Sequence, residues 1–245
     1  MVQEDVRAQP GPFAGRHLTL TALRQDDWLS ERLGKPAFSA GAGLTAADLP
    51  AAPAFVGAKV DVGDTAGLLR LQALGFKLLD TNVQLAREAA PLPVEAGPAR
   101  FAQAQDEAGI RAIAAEAFVY DRFHRDPAIG GVAASWIKAD WAGNFFAGKR
   151  GDWMVTAGAP GKPEGFLQLL RGDDGAVVID LVAVSSGSRG RGLAQAMIAF
   201  AAEACLGRAT TMRVGTQLAN LPSLALYQGL GFRVTGASHV CHLHI

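Results

Sequence analysis

Apolar and polar positions change period several times along the chain, and the changes set out its elements. After a loose start over residues 1–15, punctuated by Pro10-Gly11-Pro12, alternation over His17 to Leu23 predicts a strand. Asp27 to Gly34 predicts a short helix closed by its glycine. Residues 39–53, rich in Ala, Gly and Pro, predict one helical turn begun at Thr45 and little else. Phe55 to Val62 reads as a strand. Asp64 or Thr65 then caps a helix carrying Leu68, Leu69, Leu71 and Leu74, which ends at Gly75 before a strand over Phe76 to Leu85. Pro91-Leu92-Pro93 and Gly97-Pro98 read as a linker over 91–98. A domain boundary is expected there, between a small α/β domain at 1–90 and a larger domain at 99–245.

The second segment opens with a strand over Ala99 to Ala104. Helices follow over Glu107 to Val119 and Gly131 to Phe146. The period then shortens to that of strands: Trp153 to Ala157, Gly165 to Leu170 and Val177 to Val184. A helix over Gly192 to Leu206 puts Ala194, Met197, Ile198, Ala201 and Cys205 on one face. Thr210 to Thr216 is a strand, Asn220 to Leu230 a helix that tolerates Pro222 in its first turn, and the remainder to Ile245 a last pair of strands. The whole is of the α/β (α+β) class. One internal echo stands out: Leu71-Gln72-Ala73-Leu74-Gly75-Phe76 matches Tyr227-Gln228-Gly229-Leu230-Gly231-Phe232. Either common helix–Gly–strand junctions explain it, or residues 1–90 are a degenerate half-copy of the second segment.

A formal net charge of +0 gives no general attraction to nucleic acid or an anionic membrane, so neither is expected as a partner. Met1 to Pro10 carries Glu4 and Asp5 and reads as no signal peptide, and the apolar run Leu193 to Leu206 is too short to span a bilayer. Cys205 and Cys241 fall in a helix and a strand pattern, which fits reduced thiols and a cytoplasmic setting. His239 and Cys241 alternate with His242 and His244 on the last strand, so four ligands do not converge and no metal is expected.

The chemistry concentrates at Ser188-Arg189-Gly190-Arg191-Gly192-Leu193-Ala194, a glycine-rich basic turn between a buried strand and a helix. Turn and helix N-terminus together offer backbone N–H groups and the positive end of a dipole to a phosphate. The alternative is a solvated basic turn.

These residues resemble the acyl-CoA pyrophosphate motif of the GNAT acyltransferase superfamily, Arg/Gln-x-x-Gly-x-Gly/Ala. Asn220 to Phe232, with Leu226-Tyr227 and Leu230-Gly231-Phe232, resembles the family's closing helix and following strand. The order of elements from residue 99 onward is similar too. Within the family the whole chain is similar to the dTDP-fucosamine acetyltransferases. That likeness lies in Leu74 to Thr81, in Arg122-Phe123-His124 before a Trp136-containing helix, and in Thr210 to Gln217. The resemblance implies a GNAT fold with a mixed, mostly antiparallel sheet, preceded by a small partial-GNAT-like α/β domain. It implies acetyl-CoA as cosubstrate and a small-molecule amine as acceptor, the 4-amino group of a nucleotide-linked amino-deoxy sugar. Another amine, or acyl-CoA binding without turnover, stays open, as does the oligomeric state, with a homodimer among the options.

The same resemblance implies roles. Arg189, Gly190, Arg191, Gly192, Leu193 and Ala194 would hold the pyrophosphate. Leu181, Val182, Ala183 and Val184 would pair with pantetheine amides and face the oxyanion, unless they form an ordinary buried strand. Tyr227 is the general acid by position, or a core tyrosine. Asn220 caps its helix, binds CoA, or does both. Asp180 is a general base or a paired structural carboxylate. Arg122, Phe123, His124 and Arg125 form the candidate substrate cluster, by charge on a diphosphate and stacking on a base or sugar, or else a solvated loop.

Overall fold

The computed structural model describes residues 23–41, 43–204 and 210–245. The strand expected over His17 to Leu23 and the position of Cys205 lie outside them, Leu23 excepted. β1 (Leu23–Gln25) leads into α1 (Asp27–Leu33), where Asp26 caps by accepting from Leu29 N–H and Gly34 ends the helix at φ 64°. β2 (Ala37–Ala40) was not legible, being too short to alternate. β3 (Phe55–Asp61) runs to α2 (Thr65–Ala73), which Asp64 caps by accepting from Gly67 N–H, and then to β4 (Lys77–Glu88).

β5 (Ala99–Phe101), α3 (Glu107–Ala117) and α4 (Gly131–Gly143) precede β6 (Trp153–Ala159), β7 (Lys162–Arg171) and β8 (Val177–Val184). α5 (Leu193–Ala204), β9 (Thr211–Gln217), α6 (Leu221–Gly229) and β10 (Arg233–His244) complete the chain. The expected pair of final strands is corrected to one long strand. Its pairing with β4 shifts register between Val234 and Gly236 and continues beyond.

All ten strands form one sheet in the order β1-β2-β3-β10-β4-β9-β8-β7-β6-β5. β2–β3 and β8–β9 are parallel and the other pairs antiparallel, which is the mixed, mostly antiparallel sheet expected. The proline-rich stretch 91–98 does not divide the sheet. β10 lies between β3 and β4, β4 lies between β10 and β9, and Leu92 is buried in the shared core. The central order is a palindrome: exchanging β2 with β8, β3 with β9 and β4 with β10 reproduces it. The echoed sequences end α2 and α6 alike. Gly75 and Gly231 sit at φ 92° and 82°, and the N–H groups of Phe76 and Phe232 reach back to the carbonyls of Leu71 and Tyr227.

Both faces of the sheet are covered. Met197, Ile198 and Ala201 of α5 pack on Val155, Leu167, Ile179 and Val214. Ile110, Ile113 and Ala142 of α3 and α4 pack on Met154, Phe166, Leu181 and Ala183. Along β8 the odd-numbered positions therefore change faces between Ile179 and Leu181. The cause is a bulge: Gln168 pairs with Leu181 and Leu169 with Ile179, so Asp180 is an extra residue in β8.

The loop after α3 is tied to β10. The Oδ2 of Asp126, a buried residue, stands 2.7 Å from both His242 Nδ1 and His244 Nε2. Burial opposes ionisation of Asp126, but the two imidazole bonds and the Ala128 N–H outweigh it and hold the carboxyl well below its usual range. These are hydrogen-bond lengths, so the three groups act as a strap. A carboxyl depressed on folding contributes stability above its ordinary value, and loses it as pH falls through the folded value. Asp126→Asn should therefore cost about 2 kcal/mol in urea unfolding at neutral pH. The gap from wild type should narrow once pH drops below about 4, where the unfolded carboxyl protonates.

Candidate active site

The parallel pairing of β8 with β9 covers only Val177 to Ile179 against Met212 to Val214. Beyond that point β8 stays bonded to β7 as far as Val184, and β9 stays bonded to β4 as far as Gln217. Each strand is held on its outer edge while the two inner edges part. The fork leaves Leu181 to Val184 on one side and Gly215 to Gln217 on the other without a strand partner between them. A cavity of about 600 Å³ occupies the fork, and all four residues from Leu181 to Val184 line it.

The glycine-rich turn closes one end. Ser186–Ser188 makes a short 3-10 turn, Gly190 and Gly192 take φ 76° and 75°, and α5 begins at Leu193. Positive φ is where glycine escapes the steric cost of a Cβ. The N–H groups of the first helical turn have no intrahelical acceptor and lie at the cavity wall, with Ser188, Arg189, Gly190, Gly192, Leu193 and Ala194. Arg189 donates from Nε to the Val184 carbonyl at 3.3 Å. Arg191 is a correction: its guanidinium turns to Glu164 in an ion pair and is not on the wall.

α6 closes the other side. Asn220 Oδ1 accepts from Ser223 N–H at 3.3 Å as a helix cap, and Asn220 also borders the cavity. Tyr227 is 2% exposed, packs edge-on against Phe232 at 5.6 Å between centroids, and lines the cavity. Burial pushes its phenol up, so it remains a protonated acid through neutral pH. No protein group among the described residues takes up its hydroxyl.

Asp180 lies on the wall and takes the paired arrangement of the two expected for it. Arg150 grips both of its oxygens, Nε to Oδ2 at 2.8 Å and Nη2 to Oδ1 at 2.6 Å. Trp141 Nε1 and Gln168 Nε2 add bonds to Oδ2 at 2.9 and 3.1 Å. A carboxylate so committed holds the bulge in place. The substrate cluster is corrected too. Phe123 is 1% exposed and packs with Leu29, Phe55, Ala134 and Ile137, so it has no face to offer a base. Arg122 lies over the Phe123 ring at 4.5 Å, and burial lowers its pKa. Arg125 donates to the Leu79 carbonyl, and His124 meets Asp121. None of the four lines the cavity. The loop puts its apolar residue inward, and its cations follow the neighbouring elements.

The wall residues that periodicity missed come from the same region. Phe118, Val119, Tyr120 and Asp121 border the cavity, as does Lys138 of α4. Lys138 is buried, with Phe118 and Trp141 each 4.9 Å from its Nζ. Burial pulls its pKa down. A lysine three residues before Trp141 on an apolar helix face was the available signal. Trp136 instead points to solvent.

The candidate site is thus a strand fork ending on a glycine cradle at a helix N-terminus, with a buried phenol opposite. The acetyltransferase (GNAT) family matches residues 109–232, and the chain belongs to it. The dTDP-fucosamine acetyltransferase of Escherichia coli O6:H1 is 30% identical over 198 residues, covering 75% of this chain and 79% of that one. The spore coat polysaccharide biosynthesis protein SpsD of Bacillus subtilis is 30% identical over 139 residues, or 56% of this chain. That match spans only 47% of SpsD. Among solved structures, a GNAT-family acetyltransferase from Novosphingobium aromaticivorans aligns over 90% of this chain and 87% of its own, with TM-score 0.55 and 18% identity. A GCN5-related N-acetyltransferase from Sphaerobacter thermophilus aligns over 78% and 60%, also at TM-score 0.55, with 17% identity. Both show the same fold.

The cradle gives a graded expectation for acetyl-CoA affinity by calorimetry. Gly192→Ala, forced into positive φ, should weaken binding by about tenfold, equivalent to about 1.4 kcal/mol. Arg191→Ala, already turned to Glu164, should stay within about threefold of wild type.

Proposed function

We propose that the chain transfers an acetyl group from acetyl-CoA to a primary amine, the 4-amino group of a nucleotide-linked amino-deoxy sugar. The observation that carries the reading is the fork between β8 and β9, closed by the Gly190–Gly192 turn at one end and Tyr227 at the other. The turn's N–H groups and Arg189 hold the pyrophosphate. The free edge of Leu181 to Val184 receives the pantetheine amides and offers a backbone N–H to the oxygen that becomes negative. The amine attacks the thioester carbonyl carbon, the C–N bond forms and the C–S bond breaks. The departing sulfur takes its proton from the Tyr227 phenol, and the nitrogen's surplus proton restores the phenol through water.

The acceptor class is supported by the two relatives, whose names tie them to fucosamine acetylation and to polysaccharide synthesis. Thiol release from acetyl-CoA is the assay. Release with a dTDP-4-amino-4,6-dideoxyhexose supports the full reading, release only with other amines replaces the acceptor, and tight binding without any release removes the catalytic reading. Tyr227→Phe should lower kcat about 100-fold with acetyl-CoA affinity nearly unchanged. Because burial raises the phenol, wild-type activity should show no loss from Tyr227 deprotonation up to about pH 10.

A further inference from the structure

Two carboxylates stand on the cavity wall among the described residues, Asp121 and Asp180. Asp180 is spent on Arg150, Trp141 and Gln168. Asp121 is differently placed, at the cavity end of the loop between α3 and α4. Its Oδ1 accepts from Phe123 N–H at 2.9 Å, and its Oδ2 stands 2.5 Å from His124 Nδ1. Each carboxylate oxygen can accept two bonds, so both keep a lone pair for another donor. The charged groups facing it are Arg122 and His124 from its own loop, Lys138 of α4 with Nζ 4.0 Å from Oδ1, and Asp80 of β4. His124 has its other nitrogen 3.4 Å from Ser135 Oγ of α4, so the imidazole is fixed at both ends.

An acceptor amine arrives mostly as an ammonium at neutral pH, and cannot attack until it loses a proton. We propose that Asp121 takes that proton as the general base, with His124 as the positioning residue that orients its carboxylate. The inference rests on the acetyl-transfer reading above. The N–H bond of the ammonium breaks as an O–H bond forms on Asp121, and the freed nitrogen lone pair makes the C–N bond. Asp121 returns its proton to solvent when product leaves. The later proton, from nitrogen to the Tyr227 phenolate, is separate, so acid and base sit on different elements. Tyr227 is on α6, and Asp121 is on the loop that follows α3.

Asp121→Asn tests the assignment. The asparagine Oδ1 still accepts from Phe123 N–H, and its amide donates to His124 once the imidazole proton moves to Nε2. Rates are measured with acetyl-CoA and saturating or limiting amine, from about pH 6 to about pH 9.5, beside acetyl-CoA affinity. The variant should lose about 100-fold in kcat/KM for the amine near pH 7 and regain about tenfold per pH unit as solvent deprotonates the amine. Acetyl-CoA affinity should not move. His124→Gln should lose about tenfold and keep the wild-type profile. Asp121→Glu, which keeps the carboxylate, serves if the asparagine variant fails to fold, and should retain the wild-type pH profile at reduced rate. The assignment is overturned if Asp121→Asn stays within about threefold of wild type, or if either Asp121 variant loses the same factor at every pH with weakened acetyl-CoA binding. A wild type that binds acetyl-CoA but acetylates no amine removes the acetyl-transfer reading itself, whatever the variants do.

Discussion

The site depends on one irregularity, the parting of β8 from β9. Two parallel strands with apolar side chains would ordinarily stay paired, because each unpaired backbone group left in the interior costs free energy. Here the outer partners β7 and β4 hold both strands to their ends, so the inner edges alone are sacrificed. The bulge at Asp180 lies one residue past the last β8–β9 pair, at Ile179 and Val214. It turns β8 so that Leu181 and Ala183 pack under α3 while Ile179 packs under α5. Asp180 carries the ion pair with Arg150 that fixes this turn. The residue at the fork therefore holds the strand geometry while bordering the cavity.

The interleaving of the sheet explains why the first 90 residues are needed for a site they barely touch. β4 is the outer support of β9, and β10 is wedged between β3 and β4. The N-terminal segment thus braces one arm of the fork. The palindromic order and the matching ends of α2 and α6 fit a duplicated ancestral unit, and they also show where the halves differ. Leu71 is aligned with Tyr227 by hydrogen-bond pattern, so the first half has an apolar side chain where the second has the phenol. β2 and β3 pair over four residues, Ala37 to Ala40 against Phe55 to Ala58, and the sequence after β2, Gly41-Ala42-Gly43-Leu44, lacks the arginines of Arg189-Gly190-Arg191-Gly192.

The glycine turn and helix start at the cavity were legible because backbone does most of the work there. A cradle of N–H groups demands glycines at positive φ and a helix start, and both leave marks in the sequence at Gly190, Gly192 and Leu193. Caps were legible for the same reason at Asp64 and Asn220. The acceptor half was not, because it depends on which way a loop turns its side chains. Arg122 to Arg125 looked like a polar cluster, but Phe123 gains more from burial beside Phe55 and Ile137 than from any exposed role, and its inward turn carries Asp121 to the cavity. The bulge was equally hidden: Val177 to Val184 is apolar apart from Asp180, with no period to break, and only the pairing with Gln168 and Leu169 shows the extra residue. The prolines at 91, 93 and 98 mark irregular backbone between β4 and β5, and the sheet that runs through both segments leaves no comparable mark.

The charges at the acceptor end follow from that loop. Asp121, Lys138, Asp180 and Arg150 alternate in sign beside the cavity, on two elements and two loops. Lys138 sits between the two carboxylates with aromatic rings of Phe118 and Trp141 on its other sides. In such a row each charge is partly balanced by its neighbours, and only the member at the end with spare lone pairs can trade a proton without leaving a buried charge unpaired. Asp180 fails that condition because Arg150 would be stranded. Asp121 meets it: its partners are one backbone N–H, one imidazole and, at 4.0 Å, the Lys138 ammonium, which keeps Asp180 as a neighbouring negative charge when Asp121 is neutral. The same reasoning separates the two acids and bases of the site by partner rather than by type. Tyr227 can give its proton because no protein group competes for the hydroxyl, and Asp121 can take one because its bonds survive the change.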